Sequence, residues 1–285
     1  MDGERLFCDT ALAARIERAE ARLIAESSDA ARVRRGDTVG FARPLAGGVA
    51  SFAEADSPFT KIAGLGFAGL PDALDEVEAA FAQLGAPVQV ELCQLADPAL
   101  GGFFTGRGYR LESFENVLGR RVTDTDPAAD VRLVRDDELE RWLAEVADAF
   151  AVADTEGLPS HEDFPRQTVI DAMRDMAGVA RYAAWRDGEF AGGASFRVTD
   201  GIAQFTGAAT VPAHRRRGVQ TALLRTRLAA AAAAGCDIAV VTTQPGSKSQ
   251  ENVQRQGFDL LYARAILVKG TSATSSSGAD SRQAS

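Results

Sequence analysis

The residues best suited to chemistry are Arg215, Arg216 and Arg217, which run directly into Gly218 and the start of a helical pattern at Val219. Pro212 closes the strand-like run 202–210, because proline offers no N–H to a sheet ladder. A helix start leaves about four N–H groups unpaired and carries the positive end of the helix dipole, so it attracts anions. Arginines packed against such a start form a cradle for a phosphate-bearing ligand. Gly218 lets the backbone approach that ligand closely. A merely solvated basic turn has the same sequence, and these four residues alone do not separate the two readings.

The elements around this loop follow from turn signals and periodicity. Residues 131–135 (VRLVR) read as a strand and 136–150 as a helix, with Asp136 and Asp137 favouring its N-terminus. A second helix fits 163–176, where Phe164, Val169, Ile170, Met173 and Met176 have rough helical spacing. Strands at 180–185 and 192–198 flank an Asp187-Gly188 turn, and Asp200-Gly201 turns the chain into the strand 202–210. A helix 219–234 ends at Gly235, with Val219, Leu223, Leu224 and Leu228 forming its apolar stripe and Arg225 and Arg227 facing outward. The β-branched run 237–243 reads as a buried strand. A short helix at 247–255, a Gly257-Phe258 turn and a strand at 260–268 complete the segment.

Strand, proline, Arg215-x-x-Gly218-x-Gln220 and then an Ala/Leu helix resembles the acetyl-CoA-binding motif of the GCN5-related N-acetyltransferases (GNAT). Gln220 stands where that family usually has a small residue. The order β-α-α-β-β-β-α-β-α-β over roughly 140 residues is also the family's order. The resemblance implies a GNAT fold of the α/β (α+β) class, a mixed central sheet with flanking helices. It implies an acetyl-CoA co-substrate and acyl transfer to an amine of a small molecule or protein. By the same resemblance, amides from about Arg217 to Thr221, including Val219 and Gln220, hold the CoA pyrophosphate. Ala208 to Val211, with Ala209 and Thr210 between them, would offer backbone contacts to the pantetheine arm and thioester, and Asn252 is a polar CoA contact. Many members carry a Tyr four residues before the Gly-Phe turn as acid for the leaving thiolate; here that position is Val253. The strand 202–210 has Gln204 and Thr206 but no carboxylate. His161, Glu162 and Tyr262 are therefore the catalytic candidates, and His214 is expected to pack. The missing acid keeps a second reading open, a non-catalytic CoA-binding sensor or scaffold.

The first half of the chain echoes the end of the second. PVQVELCQ and GRGYRLESFENVLGR parallel DIAVVTTQ and RQGFDLLYARAILVK, with 14 positions from Gln94 to Gly108 against 13 from Gln244 to Gly257. This suggests two similar lobes in tandem, with the strand 59–67 and the helix 72–84 as counterparts of the loop strand and CoA helix. The first-half helix opens on Asp72, Asp75, Glu76 and Glu78, which would repel a pyrophosphate. The expected organisation is a degenerate lobe at 1–122, a linker at 123–130, a CoA-binding lobe at 131–270 and a disordered Ser/Ala-rich tail at 271–285. One CoA per chain is expected, in a monomer with pseudo-dimeric lobes or a homodimer.

Composition narrows the partners. A formal charge of −9 and a pI near 4.9 argue against nucleic acid or an acidic membrane as partner. The basic run 215–217 is then a local exception suited to a small anion. Cys8, Cys93 and Cys236 form no CxxC and only His161 and His214 are present, which points to reduced cytoplasmic thiols and no metal. No run reads as a signal peptide or a membrane span. The richness in Ala, Arg, Asp and Gly is typical of a bacterial, high-GC composition.

Overall fold

A computed structural model describes residues 5–36, 38–152 and 164–270. Among these residues the strands join into one mixed, eleven-stranded sheet. The first half supplies α1 (Thr10–Arg35), β1 (Phe41–Leu45), β2 (Gly48–Phe52), β3 (Lys61–Ala63), α2 (Leu74–Gln83), β4 (Val88–Cys93), α3 (Ala99–Gly106) and β5 (Arg110–Arg121). The second half supplies β6 (Val131–Leu133), α4 (Leu139–Ala151), α5 (Arg166–Asp175), β7 (Ala180–Arg186), β8 (Glu189–Thr199) and β9 (Ile202–Thr210). It ends with α6 (Val219–Ala233), β10 (Ile238–Thr243), α7 (Lys248–Arg255) and β11 (Asp259–Lys269). The anticipated strand 59–67 shortens to β3, and the residues after it turn through Gly64 and Gly66 in left-handed conformations.

The sheet order is β1-β2-β3-β4-β11-β5-β10-β9-β8-β7-β6. Each half therefore gives its last strand to the other. β11 pairs with β4 of the first half, and β5 pairs with β10 of the second. The two exchanged strands lie antiparallel to each other at the centre. The echo in the sequence is an echo in space, with β4-α3-β5 repeating β10-α7-β11.

Helix α1 binds the halves together. At 26 residues it extends about 39 Å at 1.5 Å per residue. The Asp9 carboxylate caps its start by accepting from the Leu12 N–H, and Gly36 ends it in the left-handed region. Along its length Arg15 donates to Asp237 (2.7 Å), Glu26 accepts from Arg197 (2.9 Å) and Arg34 donates to Asp175 (2.9 Å). All three partners belong to the second half, while the apolar side of α1 packs on β2 and its neighbours through Ala21, Ile24 and Ala31.

Candidate active site

The site begins with a bulge. Ser195 pairs with Thr206 and Gly193 with Ala209, so Gly207 and Ala208 together oppose Ala194. An extra residue on one strand bends it and raises its twist. Gly207 adopts φ +43°, a conformation that L side chains rarely take. β9 and β10 run parallel from Ile202/Ile238 to Phe205/Val241, and beyond that pair they part. The bulge thus opens a wedge along the last residues of β9.

Arg227 on α6 serves the same bend. Its Nη1 donates to the Ser195 carbonyl (3.1 Å), its Nε donates to the Leu223 carbonyl (3.2 Å), and its guanidinium lies 4.5 Å from the centre of the Phe205 ring. Burial lowers its pKa to about 9, which still leaves it cationic at neutral pH. The expectation that Arg227 faces outward is overturned: a bulged strand presents carbonyls to the helix, and a guanidinium can satisfy them. Its cost of burial is offset by carbonyl dipoles and the aromatic face rather than by a carboxylate.

Past β9, a single 3₁₀ turn (Pro212–His214) carries the chain into the arginine loop. Arg216 (φ +60°) and Gly218 (φ +75°) are both left-handed, and Gly218 caps α6 without any side-chain hydrogen bond. The first amides of α6 are therefore open to a ligand. Arg215 reaches back to the Val152 carbonyl at the end of α4 (2.6 Å). Arg217 turns away to Asp187 (3.1 Å) and the buried His214 ring (3.3 Å).

Wedge and loop share one cleft of about 1090 Å³, above the roughly 300–1,000 Å³ common for ligand sites. Ala209, Thr210, Arg215, Arg216, Gly218, Val219, Gln220, Thr221 and Asn252 all line it. Two anticipated contacts do not. Arg217 is drawn off by Asp187, and Val211 packs against the α4 and α5 cluster. Tyr262 is also outside the cleft; it is buried on β11 and its hydroxyl donates to Glu17 (2.7 Å). His161 and Glu162 fall outside the described residues. The cleft's charge runs against that of the protein. Among the described residues, Lys61, Arg215, Arg216, Arg227, Lys248 and Arg255 line it, against the carboxylate of Glu20. Thr210 Oγ1 is buried at the cleft with no hydrogen-bond partner among the described residues. Six cations, open helix amides and an orphaned hydroxyl fit a ligand such as CoA, with a polyanionic end and a slender polar arm.

Sequence reasoning gave the first half a part in the acceptor pocket or in a dimer contact, and named none of its residues at this cleft. Glu20, Leu23 and Ile24 of α1 line the cleft, together with Pro58, Phe59 and Lys61. Glu20 accepts from the Gln204 amide at 3.3 Å although 184 positions separate them, so no local signal could have joined them.

Residues 138–258 match the model of the acetyltransferase (GNAT) family. The chain carries a GNAT domain. The fold of the whole chain is that of tandem GNAT proteins. A GCN5-related N-acetyltransferase from Kribbella flavida superposes with a TM-score of 0.61 at 19% identity, covering 87% of this chain and 95% of that one. A tandem GNAT protein from the clavulanic acid biosynthesis pathway superposes with a TM-score of 0.55 at 10% identity, over 93% and 98% of the two chains. A GNAT protein from Sphaerobacter thermophilus gives a TM-score of 0.51 at 14% identity, over 88% and 91%. No curated protein matches the sequence. Among the described residues, no helix is long and apolar enough to cross a membrane, and no three His, Cys, Asp or Glu side chains group as metal ligands would.

Proposed function

We propose that the chain transfers an acyl group from acetyl-CoA, or a close acyl-CoA, to an amine acceptor. The observation that carries this reading is the parting of β9 from β10 directly above an uncapped, cation-ringed helix start. In this reading residues 131–270 form the CoA-binding lobe, 1–122 the wall facing it, and 123–130 the link between them. The amides of Gly218 to Thr221 and the side chains of Arg215, Arg216 and Lys248 hold the diphosphate end. The β9 edge from Thr206 to Thr210 orients the pantetheine arm through main-chain groups left unpaired by β10. When bound, the thioester supplies an activated acyl carbon. The chain's own contribution is to fix that carbon against the amine and to exclude water, which alone supplies a large part of a barrier reduction. Arg227, buried and with no carboxylate partner among the described residues, places positive charge beside the wedge where a departing thiolate would gain negative charge. The buried free thiols Cys8, Cys93 and Cys236 suit a reducing cytoplasm.

Val253 supports a second reading. It is buried in the cleft wall where a proton-donating tyrosine would stand, as would suit a CoA sensor without turnover. Calorimetric titration with acetyl-CoA, followed by release of CoA thiol over a panel of amines, separates the two. Transferase and sensor both predict one site per chain, and only the transferase predicts thiol release. Two sites per chain would refute assignment of the ligand to this cleft alone. No site at all would refute both readings.

A further inference from the structure

Among the described residues, the carboxylate that lines the cleft and can receive a proton comes from the first half. Glu20 projects from α1 into the cleft, with 23% of its side chain accessible and Oε2 accepting from Gln204 Nε2 at 3.3 Å. Gln204 lies two residues before Thr206, where β9 leaves β10, and six before Thr210, about 20 Å at 3.3 Å per residue. A ligand anchored at the α6 start therefore extends along the strand toward Glu20.

Glu20 stands at the edge of a buried cluster of charged side chains. Arg264 of β11 lies 2.8 Å from Glu17 of α1, 3.6 Å from Glu91 of β4, 3.9 Å from Glu115 of β5 and 4.0 Å from Glu20. Lys61 of β3 pairs with Glu91. Glu20 is the carboxylate of this cluster that lines the cleft, beside Lys61. Leu23, Ile24, Pro58, Phe59 and Met176 make the walls there apolar.

We propose, resting on the acyl-transfer reading, that Glu20 binds the acceptor as its ammonium and takes its proton. The acceptor class is then a small primary amine on an apolar skeleton, and the first half completes the active site of the second. The ammonium donates to the Glu20 carboxylate and gives it one proton, leaving a neutral amine. The nitrogen lone pair forms the C–N bond to the acyl carbon as the C–S bond breaks, and that electron pair leaves on sulfur. A second N–H proton passes to the thiolate, and Glu20 returns its proton to solvent. The products are amide, CoA thiol and one released proton. Burial raises the Glu20 pKa above its ordinary value, Arg264 and Lys61 oppose that rise, and Glu91 and Glu17 add to it. A carboxylate raised toward neutrality is a better base at working pH.

The test uses the full chain, with Glu20→Gln and Glu20→Asp beside the wild type. Acetyl-CoA affinity is measured by calorimetry. CoA-thiol release is followed from pH 5 to 9 with a panel of aliphatic and aromatic primary amines and their matching alcohols. Glu20→Gln should keep its acetyl-CoA affinity, lose about 10²–10⁴-fold in kcat/KM for the best amine, and lose the acidic limb of the pH profile. Glu20→Asp should retain that limb with weaker turnover. Retained acetyl-CoA binding shows that a variant is folded. If Glu20→Gln fails that check, the position of the wild-type acidic limb above the usual carboxylate range, together with Glu20→Asp, carries the test. An unchanged profile in Glu20→Gln, an acidic limb at ordinary carboxylate pH, or preference for the neutral alcohols overturns the proposal while leaving acyl transfer standing. Wild-type chain that binds acetyl-CoA but uses no acceptor overturns both, and failure to bind acetyl-CoA removes the underlying reading first.

Discussion

Replacing Gly218 with leucine isolates the part played by the amides at the start of α6. Gly218 sits at φ +75°, and a Cβ built there meets no atom within 4 Å. The apo protein should therefore lose only the cost of a left-handed L residue, about 1–2 kcal/mol. An unfolding entropy of about 2.1 cal/mol/K per residue gives roughly 0.6 kcal/mol/K for a chain of this length, hence a drop of about 2–3 °C in Tm. Acetyl-CoA at 100 times its Kd should stabilise the wild type by about 2.7 kcal/mol, or about 4–5 °C. A side chain standing between the amides and a diphosphate removes one or two charge-assisted hydrogen bonds, each worth about 1.5–3 kcal/mol. Affinity then falls on the order of 100-fold. At the same acetyl-CoA concentration the variant would gain only about 0.4 kcal/mol, a shift below about 1 °C. Differential scanning fluorimetry with and without acetyl-CoA reads all four values. A variant that keeps the full ligand shift would refute the placement of the diphosphate at this helix.

Other perturbations bear on different parts of the chain. Tyr262→Phe removes a buried donor to Glu17 and should cost about 1–3 kcal/mol by urea denaturation, while the pH profile of acyl transfer stays unchanged; a lost basic limb would return Tyr262 to catalysis. Burial pushes the Cys8 thiol up to about 11 and Cys93 up to about 12, so both resist ionisation in the folded state. A raised folded pKa stabilises below the unfolded value near 8.5–9 and is lost as pH rises toward 11–12. Stability should fall by about 1.4 kcal/mol per pH unit per thiol in that window, and Cys93→Ala should flatten the slope in denaturation curves at pH 8 to 10.5. For the same reason a thiol reagent at pH 8 should label these cysteines fully only after unfolding. Gly193→Ala would place a Cβ 2.5 Å from Trp142 Nε1 and Val146 Cγ2, overpacking α4 on the sheet by about 1–3 kcal/mol; a Tm equal to wild type would show that α4 shifts freely.

The second half was largely legible because its turns announce themselves. Asp187-Gly188, Asp200-Gly201, Pro212 and Gly235 bracket β7 to α6 within a residue or two, except that β8 starts three residues early, at Glu189. Of the anticipated cofactor contacts, Ala209, Thr210, Arg215, Arg216 and Gly218 depend on local chain geometry and line the cleft, whereas Val211 is taken up by the α4 and α5 cluster and Arg217 depends on where Asp187 lies. Arg227 was misread because helix periodicity assigns a charge to solvent, and the bulge that recruits it depends on register between β8 and β9. The echo of β4-α3-β5 in β10-α7-β11 revealed two similar lobes. It could not reveal the exchange of their last strands, since either copy satisfies the same alternating pattern. Glu20 was invisible for a related reason: its neighbours in the cleft come from β9, β3 and the loop before β3, all remote in sequence.

That exchange makes the two lobes interdependent in a way that the linear chain hides. Cutting at residue 122 would leave the upstream fragment with β5 but no β10 or β11 to flank it, and would leave β11 downstream with neither neighbour. The three ladders β4-β11, β11-β5 and β5-β10 would be lost, and the bare edges left on all four strands would invite the fragments to re-pair or aggregate. The short connector after β5 thus works as a clasp on an interlocked pair, and melting of one lobe must drag the other with it.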